Sequence, residues 1–143
     1  MGSRRACVII GSLLLGPLAG NATIADGLPN SPAAGSLRCR YAWGTGTGRS
    51  TLDVTVNDAA RMYAGASPER ITQQLLQSVR PETDDAIIPE VGEAAVFRPD
   101  SPAYAGATAF IKGRILQVHL DGVYARDKKD QVIELLKLAA ARL

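Results

Sequence analysis

The stretch SLRCRYAWGTGTGRSTLDVTVN, Ser36 to Asn57, decides the fold. Its first part alternates: Leu37, Cys39, Tyr41 and Trp43 share one side, while Ser36, Arg38 and Arg40 begin the other. After the glycines the alternation resumes, with Leu52, Val54 and Val56 in phase. A period of two marks half-buried strands. Two such runs joined by a short glycine-containing loop read as an antiparallel pair. The glycines raise the question of phosphate binding. A phosphate loop needs a helix N-terminus directly behind it, where backbone N–H groups converge. Here Arg49 and Ser50 lead into a strand, and the G-x-G-x-x-G pattern fails at Arg49. The glycines therefore read as a hairpin tip that needs positive φ angles.

Working outward, Asn57 or Asp58 can cap a short helix that ends near Gly65. Ser67, Pro68 and Glu69 form a better start signal, followed by Ile71, Leu75 and Val79 at four-residue spacing with Leu76 beside them. Pro81 closes that helix. Pro81 to Glu93 is an acidic loop whose spacing does not fit an EF-hand, so a solvated loop is expected. Three strands follow: Ala94 to Arg98, Ala107 to Gly113, and Arg114 to Leu120. The last two are close enough to turn tightly at Lys112 and Gly113. Leu116, Val118 and Leu120 face one way, and Ile115, Gln117 and His119 the other. Val132, Leu135, Leu136, Ala139, Ala140 and Leu143 then trace one stripe of a C-terminal amphipathic helix. The expected fold is α+β, an antiparallel sheet of about five strands in the order β-β-α-β-β-β-α, covered on one face by helices.

The chain has 143 residues, 46% hydrophobic and 21% charged, enough for one domain with an aliphatic core. Its start has the three parts of a secretory signal: Arg4 and Arg5, the apolar run Ala6 to Ala19, then small residues up to Ala22. The apolar run is shorter than the ~20 residues needed to span a bilayer. The expected organisation is a signal peptide over 1–22, a linker over 23–35 and an α+β domain over 36–143. Cleavage would remove Arg4 and Arg5 and leave equal numbers of basic and acidic residues. The basic balance thus gives no reason to expect nucleic acid as a partner. In "LAGN", Leu18 to Asn21, asparagine stands where a lipoprotein signal has its acceptor cysteine, which argues against a stable membrane anchor.

Few residues invite catalysis. Cys39 and His119 are the pair from which a thiol-dependent hydrolase could be built. Against it, Cys39 shares a side with Leu37, Tyr41 and Trp43, which reads as core. His119 has no spaced partners for a metal, and Asp84 and Asp85 are adjacent rather than opposed. No catalytic residue, metal or cofactor is expected. Binding is the stronger reading. Tyr104 and Tyr124 fall in stretches that read as loops, and Arg38 and Arg40 line the side opposite Cys39, where they can pair with acids on neighbouring strands.

The Cys39-x-Tyr41 strand, Gly92 to Ala95 before a strand, the Lys112–Gly113 hairpin and the Leu138–Ala139 helix carry a likeness. Together they resemble small exported bacterial domains of unknown function, many of them lipoproteins. The likeness covers Ser36 to Leu143. It departs at Asn21 and in the short linker that replaces a helical stretch before the Cys-x-Tyr strand. It implies a periplasmic or secreted domain of the bacterial envelope and carries over no catalytic residue. The expected function is non-enzymatic binding of an envelope protein or a small amphipathic molecule, held where sheet and helix surfaces diverge. A structural subunit of an envelope assembly is the other alternative.

Overall fold

The computed structural model describes residues 28–29, 37–44, 49–101, 103–122 and 125–141. The stretch that reads as a signal peptide lies outside them, as do Tyr124 and Leu143. The strands are β1 (Leu28–Pro29), β2 (Leu37–Trp43), β3 (Ser50–Asp58), β4 (Ala86–Ile87), β5 (Ala94–Ser101), β6 (Tyr104–Ile111) and β7 (Arg114–Asp121). The helices are α1 (Ala59–Met62), α2 (Pro68–Gln77) and α3 (Lys129–Ala141), with 3-10 turns at Pro81–Thr83 and Ala125–Lys128. All strands join one antiparallel sheet in the order β1-β2-β3-β7-β6-β5-β4. The five long strands are the five expected from the sequence, with β6 beginning at Tyr104 rather than Ala107. The two extra ones are two-residue edge strands, too short to leave a period. One of them, β1, lies inside the stretch expected to be a linker and pairs with Arg40 and Cys39 of β2.

Local signals act where the sequence places them. Ser67 caps α2, its Oγ accepting from Arg70 N at 3.2 Å, with Pro68 in the first turn. Asp58 caps α1 by accepting from Ala60 N at 3.0 Å. The β6–β7 turn takes positive φ at both Lys112 (52°) and Gly113 (73°). That is the pairing of angles whose twist matches two antiparallel strands.

One face of the sheet carries the main core. Tyr41, Leu52, Val54, Val56, Ala95, Phe97, Ala107, Ala109, Leu116, Val118 and Leu120 bury against Val132, Leu135, Leu136 and Ala139 of α3. Small alanines on β6 let the helix lie close to the strands. The expectation that helices cover a single face needs correction. A second cluster of Ala94, Val96, Phe110 and Ile115 lies on the opposite side, under Ala59 of α1 and Ile71 and Leu75 of α2. Consecutive residues Ala94 to Phe97 are therefore all buried, two toward each face. Ile115, which shares its side of β7 with Gln117 and His119, is buried for the same reason.

The acidic loop is more ordered than expected. Ile88 and Val91 are buried within it, and β4 pairs with Phe97 and Val96 of β5. Asp85 is used inside its own turn, where its carboxylate accepts from Arg80 N at 2.9 Å and Thr83 Oγ1 at 3.1 Å. Asp84 pairs with Arg126 ahead of α3.

Candidate functional site

The helices α1 and α2 cover the second face only over Ala94, Val96, Phe110 and Ile115, beside the β6–β7 turn. Beyond Ile115 the pleat presents polar residues instead. Register lines them up across the strands: Arg40 opposite Asp53, Asp53 opposite His119, His119 opposite Gly106, and Gly106 opposite Arg98. The next row on the same side runs Thr55, Gln117, Thr108. Asp53, Thr55, Gln117, His119 and Thr108 are half-buried, whereas their immediate chain neighbours Val54, Val118 and Leu116 are buried under α3. The alternation of β3 and β7 thus places an apolar layer and a polar surface on opposite sides of the same strands.

Arg40 is held by a forked contact, Nε to Asp53 Oδ1 at 2.8 Å and Nη2 to Oδ2 at 3.2 Å. Two parallel charge-assisted bonds fix the plane of the guanidinium. The hydrogen bond to Asp53 raises the Arg40 pKa above its ordinary value, the charge of Asp53 adds to this, and Asp121 contributes a smaller share. The expected pairing of this arginine with an acid on a neighbouring strand is therefore present, and Asp53 is the acid. Arg38 occupies the register position opposite Thr55, two residues along β2.

Tyr104 is not in a loop. It is the first residue of β6, opposite Asp121, and its ring lies 5.6 Å from that of His119 at 54°. Small residues around it, Pro102, Ala103, Ala105 and Gly106, hid the strand from sequence reading. Gly106 explains how the two rings meet. A Cβ there would come within 3.0 Å of His119 Cδ2 and 3.6 Å of the Tyr104 hydroxyl. Without it, imidazole and phenol settle over the bare backbone of β6.

The same register separates the candidate thiol and imidazole. Cys39 pairs with Val54 and His119 with Asp53, so positions 39 and 119 belong to opposite sides of the pleat. A Cys39–His119 nucleophile would require the sheet to slip by one residue. Among the described residues, no three His, Cys, Asp or Glu side chains are grouped to hold a metal, and no helix is long and apolar enough to cross a membrane. Sequence reasoning missed Asp53, Gly106 and Arg98. The polar phase of TLDVTVN held the signal for Asp53; for Arg98 the only hint was its place after the apolar run AAVF.

The fold and this face define an antiparallel α+β sheet protein with one side sealed and the other half open. No protein-family model matches the chain, and no curated protein does. Among solved structures, TTHA0849 from Thermus thermophilus aligns over 98% of this chain and 88% of that one, at 12% identity and a TM-score of 0.28. That likeness is too slight to carry an argument.

Proposed function

We propose that the chain is an exported, non-enzymatic binding domain, periplasmic or secreted, that engages an envelope protein through the open polar half of its sheet. The supporting observation is the row Arg40, Asp53, His119 on strands whose other side buries Tyr41, Leu52, Val54, Val118 and Leu120. Such a face offers fixed charges, two ring edges and several hydroxyl and amide groups on a rigid support. Binding surfaces of this kind gain specificity from complementary charge and from aromatic groups that lose little entropy on docking. Tyr104 and His119 are the ring contacts, and the Arg40–Asp53 pair supplies both charge signs in a set geometry. Export is supported by the N-terminal pattern of Arg4, Arg5 and the apolar run to Ala19.

A photo-crosslinking residue placed at Gln117 tests the surface in the producing cell. The expected result is a discrete protein adduct that is lost when Arg40→Glu is added. The same residue placed at Lys137, on α3, should give no such adduct. Equal crosslinking from both positions, or none from Gln117, would overturn the surface assignment. The mass of the protein recovered outside the cytoplasm checks export: loss of roughly the first 22 residues is expected, and an intact chain retained in the cytoplasm would contradict it.

A further inference from the structure

We propose a separate binding site for a small organic carboxylate in the cleft where α2 parts from the sheet, with the Arg98 guanidinium as its receptor. The cleft measures about 530 Å³ and is lined by Gln77, Arg80, Thr83, Asp85, Arg98 and Pro99. That size is in the range of small-molecule sites, roughly 300–1,000 Å³. This site goes beyond the partner-binding face and stands or falls without it.

The carrying observation is the state of Arg98. Its Nε is fully shielded from solvent yet has no hydrogen-bond partner among the described residues. A buried, unsatisfied donor on a charged group is costly and seldom retained without use. The nearby carboxylate does not satisfy it: Asp85 Oδ2 is 3.9 Å from Nε, outside hydrogen-bonding reach. Asp85 is itself almost buried, its side chain 7% exposed, and is held by Arg80 N and Thr83 Oγ1. It offsets part of the charge of Arg98 and leaves the donor unused. The Arg98 side chain as a whole remains 37% exposed and lines the cleft, so a ligand there meets it directly and gains Nε by displacing the groups that cover that atom.

The backbone prepares this arrangement. β5 and β6 lose register between Arg98 and Ser101, and Pro99 sits in that irregular stretch. A bulge bends the strand and re-aims the side chains beside it. On the inner side Gly106 stands opposite Arg98 and puts no side chain against it. The carbonyl end of α2 borders the cleft, where it would repel an anion, but Ser78 Oγ donates to Leu75 O and draws off part of that field.

Charge selects the ligand class. Among the lining residues two are cationic, Arg80 and Arg98, and one is anionic, Asp85. The excess of one positive charge matches a carboxylate better than a doubly charged phosphate. A planar guanidinium also matches a planar carboxylate in two parallel hydrogen bonds. Gln77, also in the lining, supplies an amide for a polar substituent on the same molecule.

The test is titration of the purified protein with acetate, lactate and inorganic phosphate, read at the Arg98 Nε–Hε resonance and by thermal shift. Lactate or acetate should move that resonance saturably and raise the melting temperature, with phosphate weaker than either. Arg98→Lys should weaken carboxylate binding by about tenfold or more, since an ammonium cannot form the fork. Arg98→Met should abolish binding without lowering the melting temperature of the free protein, because it removes an unsatisfied donor. A purely structural ion pair with Asp85 would make Arg98→Met destabilising instead. Three results would overturn the proposal: no saturable response to either carboxylate, unchanged binding in Arg98→Met, or phosphate binding tighter than both. Arg40→Ala should leave the titration unaltered, which separates this site from the sheet face.

Discussion

Ile115 and Leu116 are neighbours on β7, and both are fully buried, yet they belong to different interiors. Leu116 points into the layer sealed by α3, which gathers residues from β2, β3, β5, β6 and β7. Ile115 points into a small cluster shared by α1, α2, β5, β6 and β7. One step further along the same side of the strand is Gln117, and then His119, at the surface. The sealed side uses Leu52, Val54, Val56, Leu116, Val118 and Leu120 for packing. The partly sealed side has positions left over for charge, and the proposed partner-binding surface lies there. A sheet with helices over part of its second face thus builds two interiors and keeps polar groups at the surface of the same strands.

The largest expected effect follows from that contrast. Leu116→Ala should cost about 2–5 kcal/mol in chemical denaturation, because the broad layer under α3 cannot close over the cavity. Ile115→Ala should fall at the lower end of the same range, since the short helix α2 can settle toward the sheet. A larger loss from Ile115 would mean that the second cluster, not the first, anchors the fold. Next in size is Ser67→Ala, expected to cost about 1 kcal/mol through loss of the α2 cap. Amide exchange should then quicken in α2 and stay slow in α3; a uniform change would show that the two faces unfold as one unit.

The smallest effect is expected on the open face. A double-mutant cycle on Arg40 and Asp53 should return a coupling of no more than about 1 kcal/mol, as for other exposed pairs. Because Asp53 raises the Arg40 pKa, this contribution is fully present below the unfolded arginine value. It is lost only as the pH climbs through the higher folded one. Stability should therefore show no dependence on this pair across neutral pH. A coupling several times larger would mean that the row stabilises the fold and is not reserved for a partner.

Much of this is legible in the residues themselves. Leu52, Val54 and Val56, then Leu116, Val118 and Leu120, announce their face by alternation. Ser67–Pro68 and Lys112–Gly113 announce a helix start and a turn by local chemistry. Other features have no local signal. β1 and β4 are two residues each and exist only because a longer strand lies beside them. The second covered face does leave a trace, since Ala94 to Phe97 are apolar without a break, as strands buried on both sides are. The Arg98 cleft leaves none, because it needs the end of α2, the turn at 81–85 and β5 brought together from distant parts of the chain. His119 reads as a surface residue in the sequence, and its place in a row with Asp53 and Arg40 depends on the register of three strands.

That register is the central claim, and thiol accessibility tests it most directly. In a background with Cys7→Ser and Cys39→Ala, single cysteines at Gln117 and Val118 would be labelled in the native protein. Fast labelling at 117, with labelling at 118 only on unfolding, is the expected result. Fast labelling at 118 with protection at 117 would mean that the sheet is turned over, with the polar row inside and the apolar layer exposed.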